Sequence, residues 1–242
     1  YQHGEKHMLP KIIHQIWLGS SVPEPYQWFS EHLRELHPDW EYVLWTEENL
    51  PTLKNQSSAD FFSMKMFKTD IARYEILEEH GGIYVDMDML FYKSMDDLVE
   101  RDCLIVLQHF DKINNCVIGA EPHHPIMKFC VDHTQERVEE VKAKIGFNPN
   151  DRRIVRPSKA EWIYGMEAVG PFLLNDAVEA EAPDCIREPK ESFCPVRYKD
   201  SQKNQFNTFP DSYALHLWNS AKKDTDWIEI HKTLPCYLRA QK

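Results

Sequence analysis

Two aspartates one residue apart, Asp86 and Asp88, follow the short apolar run Ile83–Val85. Carboxylates cost free energy beside apolar surface unless they are paired or bind a cation. At alternating positions of a strand both side chains point the same way, so two oxygens could face one hard divalent cation. The pair therefore predicts a metal site that could hold a diphosphate. A structural pair that caps a helix or binds an arginine is the alternative.

The spacing of the two aspartates is by itself weak evidence for a metal site. Asp224 and Asp226 have the same spacing in the polar stretch AKKDTDW. No apolar strand precedes that second pair, which predicts solvated surface carboxylates. Asp86 and Asp88 instead stand at the carboxyl end of an apolar strand, where open α/β sheets place their ligands. We therefore expect the first pair to bind the cation.

Two other kinds of site also place aspartates at the positions of Asp86 and Asp88. A calcium-binding EF-hand loop that starts at Asp86 needs glycine at its sixth position and glutamate at its twelfth, where this chain has Phe91 and Asp97. The strand also resembles haloacid-dehalogenase-like phosphatases, in which the first aspartate attacks phosphorus. That family has threonine or valine where Leu90 stands, and its motif lies on the first strand, whereas two strands and a long helix are expected before Asp86. A phosphatase with Asp86 as nucleophile stays an alternative.

The elements around the acidic pair alternate between strands and helices. Apolar periodicity and Gly or Pro boundaries predict strands at 11–17, 40–46, 82–87, 103–109, 115–120 and 212–218 and helices at 24–37, 58–79, 124–144 and 160–178, the last interrupted at Gly170-Pro171. This alternation indicates an α/β fold with a mostly parallel sheet and helices on both faces. The C-terminal third is less regular.

A charged pair lies on the long helix that precedes the acidic strand. Asp70 and Arg73 are three residues apart and therefore neighbours on one helical face, with Met66 and Leu77 above and below them. Such a pair in an apolar stripe is either a structural ion pair or part of a site. The glycines that follow, residues 81–82, let the chain leave the helix and approach the next strand closely.

Composition excludes several classes of function. With 242 residues, of which 42% are hydrophobic, the chain is expected to form a single domain, residues 1–242, with a sizeable core. A net charge of −11 argues against a general nucleic-acid surface. No apolar run approaches the ~18 residues of a membrane span, although peripheral membrane association and the oligomeric state stay open.

The cysteines and the N-terminus bear on location. Six cysteines without a CxxC pair fit reduced thiols and a cytoplasmic protein better than a disulfide framework. Residues 1–8 lack the hydrophobic core of a signal peptide and could be a tag or disordered.

Several stretches in order resemble one enzyme family. KTDIARYEILEEHGGIYVDMDML holds Asp70, Arg73 and the acidic pair, while LPKIIHQIWLG (9–19) and ALHLWNS (214–220) lie towards the two ends. This series resembles the DXD-containing glycosyltransferases, which include capsular-polysaccharide enzymes, yeast-type initiating mannosyltransferases and α-1,4-galactosyltransferases. It is also similar to the catalytic core of large glucosylating bacterial toxins. The resemblance implies a GT-A fold, Mn²⁺ or Mg²⁺, and a nucleoside-diphosphate sugar donor.

The resemblance also implies roles for individual residues. Trp17 would stack on the nucleotide base. Asp70 and Arg73 would hold the donor hexose, with Arg73 also near the diphosphate. Asp86 would reach the ribose and the metal, and Asp88 would bind the metal directly. Asp70, Arg73, Asp86 and Asp88 form the expected catalytic set.

Further donor contacts are implied towards the C-terminus. Asn115 would lie near the transferred sugar, although the neighbouring Asn114 leaves the register open. His216 would be a third metal ligand or contact the diphosphate. Asn219 and Ser220 would contact the diphosphate. The family usually has tryptophan directly after this serine, whereas alanine follows Ser220 here.

The function implied is transfer of a hexose with retention at the anomeric carbon, as in polysaccharide biosynthesis. The likeness to the toxin core favours uridine diphosphate glucose or galactose over guanosine diphosphate mannose. The acceptor would be a glycan, a glycolipid or a protein side chain, held largely by residues 145–220. No carboxylate is placed convincingly as a nucleophile, so front-face attack is preferred. An inactive sugar-binding relative is a further alternative, disfavoured because the full catalytic set is present.

Overall fold

The computed structural model describes residues 7–145, 159–197, 200, 209 and 211–218. The strands in these residues are β1 (Ile12–Ile16), β2 (Glu41–Trp45), β3 (Gly82–Val85), β4 (Met89–Phe91), β5 (Cys103–Gln108), β6 (Lys112–Ala120), β7 (Arg187–Glu188) and β8 (Ala214–His216). The α-helices are α1 (Glu24–Leu36), α2 (Gln56–Phe61), α3 (Lys65–His80), α4 (Pro125–Lys144), α5 (Lys159–Ala168), α6 (Pro171–Glu181) and α7 (Lys190–Phe193).

Six strands form a mixed central sheet in the order β2-β1-β3-β6-β5-β7. Three of its five strand pairs are parallel, β1 with β2, β1 with β3, and β5 with β7. The other two, β3 with β6 and β5 with β6, are antiparallel. A separate two-stranded antiparallel sheet joins β4 to β8. The predicted α/β fold with a mostly parallel sheet is confirmed.

The core lies on both faces of the central sheet. Neighbouring strand residues such as Ile83 and Tyr84 belong to different apolar clusters, because successive side chains point to opposite faces. One cluster includes residues of α3, α4 and α6, and the other includes Leu33 of α1 and Phe193 of α7. Helices therefore cover both faces, as the sequence predicted.

The expected long helix at 58–79 is wrong in one respect, because it is two helices, α2 and α3. Phe62 between them has an extended backbone (φ −76°, ψ 131°). Glu161 of α5 accepts hydrogen bonds from the backbone nitrogens of Ser63 at 2.7 Å and Met64 at 2.9 Å. A carboxylate distant in sequence thus satisfies free amides at the start of α3 and fixes where that helix begins.

The two glycines after α3 make a tight connection to β3. Gly81 has φ +63° and Gly82 has φ +91°, a region that residues with a Cβ rarely adopt. A Cβ on Gly82 would lie 2.6 Å from the carbonyl oxygen of Ile12. Nε2 of His14 is 2.9 Å from the carbonyl oxygen of Gly81. The turn therefore lets β3 leave α3 and pair directly with β1.

The described N-terminal residues lie against Glu121. Its carboxylate accepts a hydrogen bond of 2.7 Å from the backbone nitrogen of Met8 and lies 3.0 Å from Nδ1 of His7. Residues 7 and 8, expected to be part of a tag or disordered, thus contact the rest of the chain. Residues 1–6 lie outside the described part.

Two further expectations concern cysteines and membranes. Cys103, Cys116, Cys130 and Cys194 are buried, Cys185 is half-buried, and all five have free thiols. Cys236 lies outside the described residues. Within the described ranges, no helix combines the length and the apolar character needed to cross a bilayer.

Candidate active site

The acidic pair lies just beyond the carboxyl end of β3. The backbone nitrogen of Asp86 donates to the carbonyl oxygen of Cys116 at 2.8 Å, and its own carbonyl oxygen accepts from Nε2 of Gln15 at 3.2 Å. The hydroxyl of Tyr84 donates to Oδ1 of Asp86 at 2.7 Å. Contacts from β1, β3 and β6 thus hold Asp86 in place before any ligand binds.

His216 meets both carboxylates because β8 pairs with β4. Met89 lies opposite His216 in this ladder, and the backbone nitrogen of Leu217 donates to the carbonyl oxygen of Asp88 at 3.0 Å. Nε2 of His216 lies 3.3 Å from Oδ1 of Asp88 and 3.9 Å from Oδ2 of Asp86. One potential ligand atom from each of the three side chains lies within 4.8 Å of the others.

These three side chains fit a divalent cation. Two carboxylate oxygens and an imidazole nitrogen form a donor set that suits Mn²⁺ well and Mg²⁺ less well, since Mg²⁺ prefers oxygen alone. Although burial opposes a charge on His216, the carboxylate of Asp88 raises its pKa well above the usual value. The same negative field that favours this proton would favour a metal ion in its place.

A second network lies beside the pair and is built around Arg73. Nη2 of Arg73 lies 2.9 Å from Oδ1 of Asp70 and 3.4 Å from Oδ1 of Asp86, and Nη1 donates to the carbonyl oxygen of Asn115. The guanidinium packs over the ring of Tyr84, 4.2 Å from its centroid. The side chains of Arg73 and Asp70 are each 5% exposed. Arg73 therefore links the two predicted parts of the site.

Burial and the positive charge of Arg73 shift the pKa values of these carboxyl groups in opposite directions. Burial raises the pKa of Asp70 and of Asp86 above their usual range, and Arg73 opposes both increases. Asp88 further raises the pKa of Asp86 by repulsion. A cation bound between the two carboxylates would relieve that repulsion.

The two asparagines of β6 have different hydrogen-bond partners. Nδ2 of Asn115 donates a hydrogen bond of 2.9 Å to Oδ1 of Asp70. The side chain of Asn114 instead donates to Oε1 of Gln108 at 3.3 Å and accepts from the backbone nitrogen of Cys116 at 2.9 Å. Asn115, the residue that the sequence favoured, is therefore the one that joins the network.

Trp17 lies at the same edge of the sheet as the acidic pair, since it follows β1 and β1 is parallel to β3. It is half-buried, its indole nitrogen donates to the carbonyl oxygen of Ser20 at 2.8 Å, and its ring centroid is 5.0 Å from that of Tyr26. Its role in stacking on a base stays a prediction. Asn219 and Ser220 lie outside the described residues, as does the control pair at 224–226.

Sequence reasoning missed Tyr84 and Gln15. Tyr84 precedes Asp86 by two strand positions and so faces the same side, where it supports both Arg73 and Asp86. Gln15 is 1% exposed, and its Oε1 accepts hydrogen bonds from Ser30 and Tyr42, each at 2.8 Å. A polar residue within the apolar run KIIHQIW was the available signal for Gln15.

Comparison with known proteins bears on this geometry. Residues 23–105 match the family model described as "Glycosyltransferase sugar-binding region containing DXD motif". Asp70, Arg73, Asp86 and Asp88 all lie within the matched region, whereas His216 lies outside it. The resemblance to the DXD glycosyltransferases is confirmed.

Named relatives of this chain are also glycosyltransferases. Inositol phosphoceramide mannosyltransferase 2 of Schizosaccharomyces pombe is 30% identical over 140 residues, which cover 54% of this chain and 40% of that protein. Lactosylceramide 4-alpha-galactosyltransferase of Pan troglodytes is 24% identical over 196 residues, which cover 72% of this chain and 47% of that protein. The chain thus spans less than half the length of these two relatives.

A solved structure shows the fold. The protein titled "PaToxG Glycosyltransferase" superposes with a TM-score of 0.53 at 15% sequence identity, covering 98% of this chain and 89% of that chain. The predicted GT-A fold is confirmed.

Proposed function

We propose that this chain is a metal-dependent glycosyltransferase that moves a hexose from a nucleoside-diphosphate sugar to a glycan or lipid-linked acceptor. One observation supports this most directly. Asp86, Asp88 and His216 meet at the carboxyl edge of the sheet. Directly beside them lies the buried network of Asp70, Arg73 and Asn115. A cation site for a diphosphate thus adjoins polar groups that suit a sugar.

Each part of the site has a separate task. Asp86, Asp88 and His216 would hold the cation, which when bound supplies Lewis-acid stabilisation of the charge on the leaving diphosphate. Oδ1 of Asp70 contacts both Arg73 and Asn115, so we assign Oδ2 to accept hydrogen bonds from sugar hydroxyls. Arg73 holds Asp70 in that orientation and adds positive charge near the diphosphate.

We further propose front-face attack with retention. Asp70 is a poor nucleophile because Arg73 and Asn115 already hold one of its oxygens. In the proposed step the acceptor oxygen bonds to the anomeric carbon, and the bond from that carbon to the diphosphate oxygen breaks. The bonding electrons leave with the diphosphate, which takes up the proton of the acceptor hydroxyl.

Two donors remain to be compared by experiment. The toxin-like stretches IHQIWLG and GGIYVDMDML favour uridine diphosphate glucose or galactose. The name of the Schizosaccharomyces pombe relative favours a mannosyl donor, for which guanosine diphosphate mannose is the candidate. Stacking on Trp17 does not choose between them, because every base offers a π face.

The test is a thermal-shift screen of nucleotide sugars with and without Mn²⁺. A donor at 100 times its dissociation constant stabilises the folded state by about 2.7 kcal/mol. We expect a shift with one class of donor, loss of that shift in chelator, and a smaller shift in Trp17→Ala. Protein that is folded but shifts with none of the donors would refute the proposal. Release of phosphate from simple phosphomonoesters would support the phosphatase alternative, and donor binding without transfer or hydrolysis would indicate an inactive sugar-binding relative.

A further inference from the structure

Four side chains of the kinds that bind metal ions meet at one edge of the central sheet, away from the candidate active site. They are Asp102, Cys103, His124 and Cys185. One potential ligand atom from each of Asp102, Cys103 and His124 lies within 4.8 Å of the others. The thiol of Cys103 also interacts with the thiol of Cys185. Two sulfurs, an imidazole and a carboxylate therefore lie together.

The strand register separates this cluster from the proposed cation site. Gly82, the first residue of β3, and Cys103, the first residue of β5, both lie opposite Ala120. The cluster therefore lies at the edge of the sheet where β3 begins, whereas Asp86 follows the other end of that strand. The two groups of side chains are at opposite edges of the sheet.

Three segments that are distant in sequence bring the four side chains together. β7 runs parallel to β5 with Arg187 opposite Ile105, so the chain just before β7 carries Cys185 towards Cys103. Both cysteines pack in the apolar cluster that includes residues of α4, and His124 is the N-cap residue of α4. The packing of β5, β7 and α4 therefore fixes where the side chains meet.

The donor set suits zinc. Two sulfurs, one nitrogen and one oxygen can surround Zn²⁺ in a four-coordinate tetrahedral site. Nε2 of His124 lies 3.6 Å from Oδ2 of Asp102, close to the ~3.3 Å between two ligand atoms that each lie about 2.0 Å from a tetrahedral zinc ion. Thiolates favour zinc over Mn²⁺ or Mg²⁺, for which oxygen ligands are better suited.

The cluster is open to solvent on one side. Cys103 and His124 are buried and Cys185 is half-buried, whereas the side chain of Asp102 is 47% exposed. A cation can therefore reach ligands that the surrounding protein shields from water. Two thiolates and a carboxylate leave one negative charge on a zinc complex, and the N-terminus of α4 favours that charge.

The hydrogen bond that His124 makes now defines what zinc binding changes. Nδ1 of His124 accepts from the backbone nitrogen of Ile126 at 3.2 Å, so the neutral ring carries its proton on Nε2. Zinc at Nε2 requires the proton on Nδ1 instead, and this capping hydrogen bond is then lost. At 3.2 Å the bond is at the long end of the normal range, and its loss is small beside the gain from a metal–nitrogen bond.

A second cluster that contains sulfur suits zinc less well. Cys116, Cys194 and His216 also have ligand atoms within 4.8 Å of one another, but all three residues are buried. His216 is already assigned to the cation beside Asp88. In the described part of the chain, this second cluster offers three donors rather than four.

We propose that Asp102, Cys103, His124 and Cys185 form a structural zinc site. Zn²⁺ bonds to both sulfurs, to Nε2 of His124 and to the carboxylate of Asp102, and the two thiol protons are released to solvent. The ion ties β7, an edge strand of two residues, to β5 and to the start of α4. This inference does not depend on the proposed transfer reaction.

The test uses Co²⁺, a spectroscopic substitute for zinc, in the whole chain kept reduced by a phosphine. We expect one equivalent of Co²⁺ to give sulfur-to-cobalt charge-transfer bands, which Zn²⁺ then removes by displacing it. Cys103→Ala and Cys185→Ala should each lose much of this absorption. Asp102→Asn should weaken Co²⁺ binding but keep the bands, because both sulfurs remain. Cys130→Ala, which removes another buried thiol, is the matched control and should change neither.

Thermal unfolding tests the structural role. Removal of zinc by a chelator should lower the melting temperature of the zinc-loaded protein by about 5–10 °C, as for loss of a ligand at 100 times its dissociation constant from a chain of this size. Cys185→Ala, whose altered side chain is only half-buried, should show no such shift. A chelator effect of equal size in Cys185→Ala would contradict the proposal.

The other outcomes also decide the proposal. Circular dichroism shows whether each variant is folded. Folded, reduced protein without sulfur-to-cobalt bands would refute the zinc site. Bands that disappear in Cys116→Ala but persist in Cys185→Ala would place the metal in the second cluster and overturn the assignment. Binding of Mn²⁺ with a nucleotide sugar should be unchanged in Cys185→Ala, so failure of the zinc site leaves the glycosyltransferase proposal standing.

Discussion

Asn115 of β6 donates a hydrogen bond of 2.9 Å to Oδ1 of Asp70 on α3, the same oxygen that lies 2.9 Å from Nη2 of Arg73. Two different elements thus fix the orientation of one buried carboxylate. The second oxygen of Asp70 is aimed by these contacts, so the hydrogen bond from Asn115 should matter for the sugar more than for the nucleotide.

Asn115→Ala should therefore raise KM for the donor sugar by about 10-fold, the loss of one hydrogen bond to a charged group, about 1.5 kcal/mol. Binding of the nucleoside diphosphate without its sugar should be unchanged, because we assign Asp70 to the sugar. Donor kinetics and product inhibition by the nucleoside diphosphate measure the two effects. Equal loss of affinity for both ligands would contradict the assignment of Asp70 to the sugar.

The pairing of Arg73 with Asp70 and Asp86 should make a large contribution to folding. Removing one partner of a buried ion pair leaves an uncompensated charge, so Arg73→Met should lower the free energy of unfolding by about 3–5 kcal/mol. Asp70→Asn introduced into Arg73→Met should restore part of this loss. Urea denaturation of the two single variants and the double variant gives the coupling energy. If the losses of unfolding free energy in the two single variants simply add up in the double variant, the two side chains do not interact as described.

The proposed cation ligands are tested by direct metal binding. Asp88→Asn and His216→Gln should each weaken Mn²⁺ binding at least 10-fold, because each removes one of three converging donors. Titration followed by electron paramagnetic resonance measures free Mn²⁺ in the presence of the nucleotide. The double change Asp224→Asn with Asp226→Asn serves as the control and should leave the affinity unchanged. Loss in the control but not in Asp88→Asn would mean that the other pair binds the metal.

Buried His14 predicts how stability depends on pH. Its Nδ1 accepts from the indole nitrogen of Trp45 at 3.2 Å, and burial, with His80 nearby, lowers its pKa from 6.5 to about 4. Between these two values the unfolded chain binds more protons than the folded one, so stability falls as pH decreases from 6.5 to 4. The loss is about 3 kcal/mol for the complete shift.

Denaturation at pH 7 and at pH 4.5 checks this dependence. His14→Gln removes the titrating group and should flatten the profile in this window. Some slope should remain, because burial also lowers the pKa of His37. An unchanged slope in His14→Gln would show that other groups cause the acid sensitivity.

Local pattern predicted much of the fold. The apolar run KIIHQIW gave a strand at 11–17, found at Ile12–Ile16, and the helix expected at 124–144 is found at Pro125–Lys144. The end of the apolar run was predicted correctly, since Asp86 directly follows β3. The strand expected at 82–87 is wrong in its extent, because it ends at Val85 and Asp88 lies in a turn, so strand alternation does not align the two carboxylates. The charged neighbours Asp70 and Arg73 followed from helical spacing, which is a local property.

What the sequence did not predict depends on contacts between distant segments. The break between α2 and α3 is fixed by Glu161 of α5, which no local pattern in 58–79 could show. Tyr84 and Gln15 acquire their roles only when β1, β3 and β6 lie side by side. The antiparallel direction of β6 could have been inferred, since its connection to β5 is too short for a parallel crossover.

The position of β8 has a consequence for the protein during its synthesis. Asp86 and Asp88 leave the ribosome before His216, together with the helix that carries Asp70 and Arg73. Because the N-terminal part of a chain folds first, a nascent chain presents two carboxylates that no imidazole yet faces. The proposed cation site is complete only after β8 pairs with β4, so a chain that ends before His216 should bind the cation with two of its three side chains and therefore more weakly.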